Sequence, residues 1–235
     1  MGLYGIVCFF IASFLAFSTC VYSYDDIGGY IVVKKNDVKL IAIILARVNS
    51  RRLPNKNFRQ FFGRPIIEWV IDEVKKSELF DKIVVSTDDV NIVNWNKKYN
   101  EQQKLFNVYL RQNPKYEQTV DDVCLEVLQE YPDYNYLCCI YPTAYAVTWQ
   151  DLCKSFKNMI EGKHAYCFSV GMLNGKYGMD NGGFYWARIN EFLKTKNLTG
   201  YGGLSYELPM VDINDIQDFA EAKLHALTLP CGRFK

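Results

Sequence analysis

Hydrophobic positions fall into two regimes along this 235-residue chain. Residues 1–24 hold no charged side chain and are dense in Phe, Ile, Leu, Val, Ala and Cys. From residue 38 onward, short apolar runs alternate with stretches whose apolar side chains recur at helical spacing. The run 38–46, broken only by Lys39, predicts a buried parallel strand. Residues 65–76 place Ile66, Ile67, Val70 and Val74 on one side of a helix. The same reading gives a strand over 82–87, a helix opened by Asp88 and running to 99, and a short strand over 106–110. Thr119 with Asp122 predicts a capping-box start for a helix to 130, because each side chain satisfies a backbone amide near the other. Strands are expected over 135–141, 165–170 and 183–187, with a helix over 148–160 between the first two. A short strand near Val211 and a helix over about 214–227 complete the pattern.

Strand and helix alternating in this way build an α/β fold, a mostly parallel sheet with helices on both faces. No internal repeat and no linker is visible after residue 38, so 38–235 reads as one domain, preceded by a linker over 25–37. The charge-free segment 1–24 is different in kind. A helix of about 20 apolar residues can cross a bilayer, so this segment reads as a signal-anchor or an uncleaved leader. It lacks the basic n-region of a standard signal peptide. Lys34, Lys35 and Lys39 would hold its C-terminal side in the cytoplasm. An upstream extension of the reading frame with no settled role is the other reading. The domain is therefore expected to be either cytoplasmic or membrane-anchored through residues 1–24. The sequon Asn197-Leu198-Thr199 matters only for a lumenal domain.

Composition narrows the chemistry. With 27 basic and 26 acidic residues the formal charge is +1, which gives no overall field for nucleic acid or an anionic membrane. Any anion site must come from local clustering. The 8 cysteines include no C-x-x-C pair and only 2 histidines accompany them, which argues against a zinc site. Cys138 and Cys139 lie in an apolar run where neighbouring side chains face opposite ways, so reduced core cysteines are expected rather than a disulfide framework.

The clustering is found between residues 45 and 64, where Arg47, Arg51, Arg52, Lys56, Arg59 and Arg64 occur with no acidic residue. This segment leaves the C-terminal end of the first strand, where open α/β sheets bind ligands. Fixed cations, small polar residues (Asn49, Ser50, Asn55, Asn57) and a turn-fixing Pro54 suit a triphosphate. A solvated basic loop has the same composition. Neither the Walker A pattern nor the dinucleotide-binding glycine pattern is present.

The wording of the stretch 41–57, Ile-Ala-Ile-Ile-Leu-Ala-Arg-Val-Asn-Ser-Arg-Arg-Leu-Pro-Asn-Lys-Asn, resembles the signature of the acylneuraminate cytidylyltransferases, which make CMP-sialic acid and its relatives. Arg47, Ser50, Arg51, Leu53, Lys56 and Asn57 match the pattern A-R-x-x-S-[KR]-x-[LIV]-x-x-K-N. The resemblance continues through residues 80–89, Leu110-Arg111, the run 138–144 and Gly183-Phe184-Tyr185-Trp186, the last two closest to the branch acting on pseudaminic acid. It spans about residues 38–228.

The resemblance implies a Rossmann-like nucleotidyltransferase sheet and transfer of CMP from CTP to a nine-carbon acidic sugar, with release of pyrophosphate. It casts Arg47, Arg51, Lys56 and Asp212 as catalytic. Ala46, Ser50 and loop amides would hold the same phosphate oxygens, and Asn57 would help read cytosine or ribose. Asp88 either touches the nucleotide or caps the helix that follows it. Pro142 and Thr143 would sit near the nucleotide, and Thr143 with Tyr185 would border the sugar; a buried core aromatic is the other reading of Tyr185. Mg²⁺ is implied, held by Asp212 and Asp215. The family has Asp-x-Asp here, whereas this chain has Asp212-Ile213-Asn214, so Asp215 either substitutes for the second carboxylate or only caps the last helix. Two further departures are Gln112 in place of a proline after Arg111 and a shortened interval over 170–182, a segment that in the family helps form the sugar pocket and reaches across a dimer. CTP, an acidic nonulosonate sugar and a second copy of the chain are thus the implied partners, and nucleic acid is not among them. The alternatives are a same-fold CTP-dependent enzyme with another acceptor, favoured by the shortened interval, or a catalytically weak remnant that binds nucleotide or serves as a membrane-tethered interaction module.

Overall fold

The computed structural model describes residues 21–24, 30–33, 38–47, 50, 52–89, 92, 106–111, 118–173, 176–230 and 232–234. In chain order, β1 (Val21–Tyr24) and β2 (Tyr30–Val33) pair antiparallel as a small ribbon. The ribbon falls in the stretch expected to be leader and linker; the end of the apolar segment is extended rather than helical. β3 (Leu40–Leu45), the two-residue strands β4 (Gln60–Phe61) and β5 (Arg64–Pro65), α1 (Ile66–Lys76), β6 (Lys82–Thr87) and β7 (Asn107–Leu110) follow. The second half contains α2 (Val120–Glu130), β8 (Tyr136–Ile140), α3 (Trp149–Glu161), β9 (Tyr166–Leu173), β10 (Lys176–Arg188), α4 (Ile189–Thr195), β11 (Leu204–Glu207) and α5 (Ile216–Thr228).

Seven strands form one sheet in the order β11-β9-β10-β8-β3-β6-β7, and only β10 runs against its neighbours. Period-two alternation on the central strands builds a core on each face. Leu40, Ala42 and Ile44 of β3, with Cys138 and Ile140 of β8, pack under α1 and α3. Ile41, Ile43, Leu137 and Cys139 pack on the other side, under α2 and α4. The adjacent cysteines thus face opposite ways, as their place in an extended run requires. The five described cysteines are free and buried.

The capping boxes of α2 and α3 follow one rule. Thr119 closes on Asp122 at the start of α2 as expected, and Thr148 closes on Asp151 at the start of α3 in the same way. A third, smaller core holds the signature loop. Leu53, Phe61, Ile66 and Tyr145 pack with Ile213, Phe219, Ala222 and Phe234, so the loop is seated on α5 and the chain's last residues.

Two expectations need correction. No strand forms near Val211, because its N–H donates to the Tyr145 hydroxyl (3.1 Å) instead of to a neighbouring strand. The edge strand is β11, a short, half-exposed run parallel to β9. The strands expected over 165–170 and 183–187 run further, β9 to Leu173 and β10 from Lys176, so both extend into the interval 170–182 as a hairpin. The register slips between Asp180 and Tyr185, and the N–H groups of Gly183 and Phe184 are taken up by the Ser169 hydroxyl at 3.1 and 3.0 Å. Of the helix expected over 88–99, only Ile92 is both described and helical; residues 90–91 and 93–99 lie outside the described residues, as do 1–20. Among the described residues no helix is long and apolar enough to cross a membrane.

Candidate active site

A parallel sheet sends the loops after its strands to one edge, and here four adjacent strands, β8, β3, β6 and β7, do so side by side. A cleft of about 350 Å³ opens there. It is lined by Tyr141, Pro142 and Thr143 after β8, by Arg47, Ser50, Lys56 and Asn57 after β3, by Asp88 after β6 and by Arg111 after β7. Gln118, Thr119, Val120 and Val123 from the start of α2, with Leu45, close the far side.

The basic loop is held by its own side chains. Asn57, 5% exposed, donates Nδ2 to the Arg47 carbonyl at 2.8 Å, which pins the loop across its base. Its amide nitrogen is therefore engaged with the backbone. Lys56 donates Nζ to the Ile213 carbonyl at 2.7 Å. Burial lowers the Lys56 pKa, Asp212 opposes that shift, and Arg47 and Arg52 add to it. Arg52 donates to Asn214 Oδ1 at 2.9 Å, and Asn214 Nδ2 donates to Asp212 Oδ2 at 2.9 Å. The residue that stands where the family has an aspartate is thus a bridge between loop and carboxylate.

Arg111 was quoted in the sequence motifs without a role. It is 8% exposed, and its guanidinium is aimed by two bonds to Ser86, Nε to Oγ at 3.0 Å and Nη2 to the carbonyl at 3.3 Å. Burial presses its pKa down and the nearby Asp88 opposes this. Arg47, Lys56 and Arg111 therefore bring three cationic side chains to one cleft, an arrangement that favours a polyanion.

The other expected site residues are placed as follows. Ala46 is buried and its N–H donates to the Ser86 carbonyl at 2.8 Å. Arg51 lies outside the described residues. Tyr185 is not on the cleft wall; it is 4% exposed, its ring tilts against Tyr141 at 5.7 Å, and its hydroxyl donates to Asp180 at 2.6 Å. Gly182 adopts φ +67°, and a Cβ there would come within 3.0 Å of the Tyr141 ring and 3.4 Å of Asp212 Oδ1. Asp212, Tyr141, Asp180 and Tyr185 thus cluster on the β8–β10 side of the cleft. Asp215 caps α5, its Oδ1 accepting from the N–H groups of Gln217 and Asp218 at 2.8 and 3.0 Å. Among the described residues, no three His, Cys, Asp or Glu side chains gather as a ready metal cage.

Comparison with known proteins agrees with this geometry. The pattern defining the Cytidylyltransferase family matches residues 41–172. The chain is 29% identical over 135 residues to the pseudaminic acid cytidylyltransferase of Campylobacter jejuni subsp. jejuni serotype O:2, a match covering 57% of this chain and 58% of that protein. A shorter stretch of 57 residues is 44% identical to the 3-deoxy-manno-octulosonate cytidylyltransferase of Fusobacterium nucleatum, covering 24% of this chain and 23% of that one. Among solved structures, a CMP:2-keto-3-deoxy-manno-octonic acid synthetase complexed with CTP superposes with a TM-score of 0.64 at 12% identity, over 80% of this chain and 98% of that one, a likeness of fold. The sheet, the motif-bearing loop and the matched span of more than half the chain together establish that this chain belongs to the cytidylyltransferase family.

Proposed function

We propose that this chain transfers CMP from CTP to a nine-carbon acidic sugar of the pseudaminic or sialic acid type and releases pyrophosphate. The observation that carries the reading is the convergence of Arg47, Lys56 and Arg111 on one cleft whose basic loop also bears the family motif. A triphosphate brings about four negative charges, and a partly buried cationic site binds such charge better than open water does.

In the proposed reaction a sugar hydroxyl oxygen forms a bond to the α-phosphorus, the bond from that phosphorus to the bridging oxygen breaks, and pyrophosphate leaves with the electron pair. The hydroxyl proton is released. Little covalent work falls to the protein, so positioning and charge stabilisation dominate. Arg47 and Lys56 hold the phosphates, together with Ser50 and, from the motif, Arg51. Thr143 and Pro142 face the sugar side, and Tyr185 supports that wall from behind through Tyr141.

Mg²⁺ fits this donor set in a limited way. Asp212 is exposed beside Lys56, and Asn214 engages its Oδ2, so Oδ1 is the hard oxygen such an ion would take while nucleotide phosphates supply the rest. Asp215 has one carboxylate oxygen committed to the helix cap, so we assign the metal contact to Asp212 first. When bound, the ion would neutralise phosphate charge. A second reading, an eight-carbon acidic sugar as acceptor, is favoured by the short stretch of higher identity to the octulosonate enzyme.

The test is pyrophosphate release by the intact chain from CTP and Mg²⁺, with pseudaminic acid, N-acetylneuraminic acid and 3-deoxy-manno-octulosonic acid offered in parallel and Arg47→Ala as control. Release with a nine-carbon sugar, lost in the variant, supports the proposal. Release only with the octulosonic acid selects the second reading. CTP binding without release to any of the three sinks both.

A further inference from the structure

We propose that Gln118 selects cytosine over uracil, with Glu126 as the residue that positions it; the inference rests on the CTP reading above. Gln118 lines the cleft together with Val120 and Val123 of α2 and Leu45 at the end of β3, and those three aliphatic side chains suit the flat faces of a base. Its Nε2 donates to Glu126 Oε2 at 2.7 Å. The other Glu126 oxygen accepts from the Tyr109 hydroxyl at 2.9 Å. Tyr109 is a dependable donor, because burial and then the bond to Glu126 push its pKa up to about 12.

A carboxylate between two donors fixes which way the amide points. An ionised carboxylate only accepts hydrogen bonds, so the amide nitrogen must face it, and the reverse rotation would set oxygen against oxygen. The carbonyl Oε1 is thereby committed to a different direction. It is shielded from solvent and has no hydrogen-bond partner among the described residues. Buried acceptors in folded proteins are nearly always paired, so an orphan acceptor on a residue lining a ligand cleft calls for a donor from the ligand.

Cytosine offers that donor. Its exocyclic amine at C4 donates, whereas uracil presents a carbonyl acceptor at the same place. An acceptor that cannot rotate pairs with the first and repels the second. Thr119 caps α2 and holds the backbone next to Gln118 in place, so the selecting atom stands on a stiff element.

Equilibrium binding to the intact chain tests this with three probes: CTP, UTP and the triphosphate of the 2-pyrimidinone ribonucleoside, which lacks the amine. The unaltered protein is expected to bind CTP about tenfold or more tighter than either of the others. Gln118→Leu should weaken CTP about tenfold and leave UTP unchanged, so the preference disappears. Glu126→Leu, which frees the amide to rotate, should erase the preference without touching the base, a change that a merely structural role would not produce. Native circular dichroism accompanies each variant, and the pyrimidinone probe on the unaltered protein needs no variant at all. A pyrimidinone affinity equal to that of CTP, or a CTP preference that survives Gln118→Leu in a folded protein, overturns the inference and leaves the CTP reading standing. Binding of neither CTP nor UTP by the unaltered protein overturns both.

Discussion

Asn214 donates its side-chain amide to Asp212 Oδ2 at 2.9 Å while its carbonyl oxygen accepts from Arg52 at the same distance. The amide thus spans a cation and an anion that belong to different parts of the fold. A second bridge runs in parallel, from Lys56 to the backbone of Ile213. Replacing Asn214 with Ala removes both side-chain bonds and unties Arg52 from Asp212. We expect a loss of about 1–2 kcal/mol in urea unfolding and a several-fold weaker response to Mg²⁺ in pyrophosphate release. An unchanged Mg²⁺ titration would show that Asp212 needs no support from the bridge.

Asn57→Ala should act on the loop rather than on its charge. The Nδ2 bond to the Arg47 carbonyl is its described link to the loop base, and the residue is buried. Loss of that bond leaves a part-buried carbonyl unsatisfied, at about 1–3 kcal/mol. The expected kinetic signature is a higher KM for CTP with the thermal transition lowered by several degrees. A rise in KM alone, with unchanged stability, would favour direct contact with the nucleotide.

His225 gives the fold a pH dependence. The Tyr145 hydroxyl accepts from the Val211 N–H at 3.1 Å and lies 2.9 Å from His225 Nδ1, to which it donates when the ring is in the neutral Nε2-protonated form. Burial lowers the His225 pKa below its usual value. The unfolded chain therefore takes up the proton first, so this contribution to stability is complete above about pH 6.5 and is lost as pH falls through the folded value. Denaturant midpoints between pH 7.5 and 5 should fall, and His225→Phe should flatten part of that slope. An identical slope in the variant would assign the dependence to carboxylates.

Trp186 tests the core beneath the site. It is fully buried, stacks on Phe80 at 5.4 Å and donates Nε1 to Ser155 Oγ at 2.9 Å. Trp186→Ala should cost about 3–5 kcal/mol by cavity formation, with Ser155 left short of a donor. Chemical denaturation measures it; a cost below about 1 kcal/mol would mean that the two helices α1 and α3 collapse onto the gap.

The strands that proved legible were those buried on both faces. Leu40–Leu45 and Tyr136–Ile140 are continuous apolar runs and Lys82–Thr87 carries Ile83-Val84-Val85 at its centre, so their hydrophobicity announces them. β11 escaped notice because Leu204–Glu207 is short, polar on alternate positions and held at the sheet edge by β9. The extended β10 was missed for a different reason. Its half near Asn181 and Gly182 carries no apolar pattern, and a buried network of Ser169 and Asn181 holds it there instead. In the site, local charge pointed to the loop of Arg47 and Lys56. Nothing local marks Arg111 or Gln118, whose roles follow from Ser86 and Glu126, residues brought beside them only by the sheet and by α2.

Sheet order has an evolutionary consequence. Most of the side chains we assign to the base come from the start of α2, which follows β7 in the chain, and those assigned to the sugar come from the loop after β8. Substitutions in the β9–β10 hairpin away from Gly182 can then be tried by drift and selection with little effect on the residues assigned to the base. A lineage built on this plan could exchange one acceptor for another while its nucleotide stays the same.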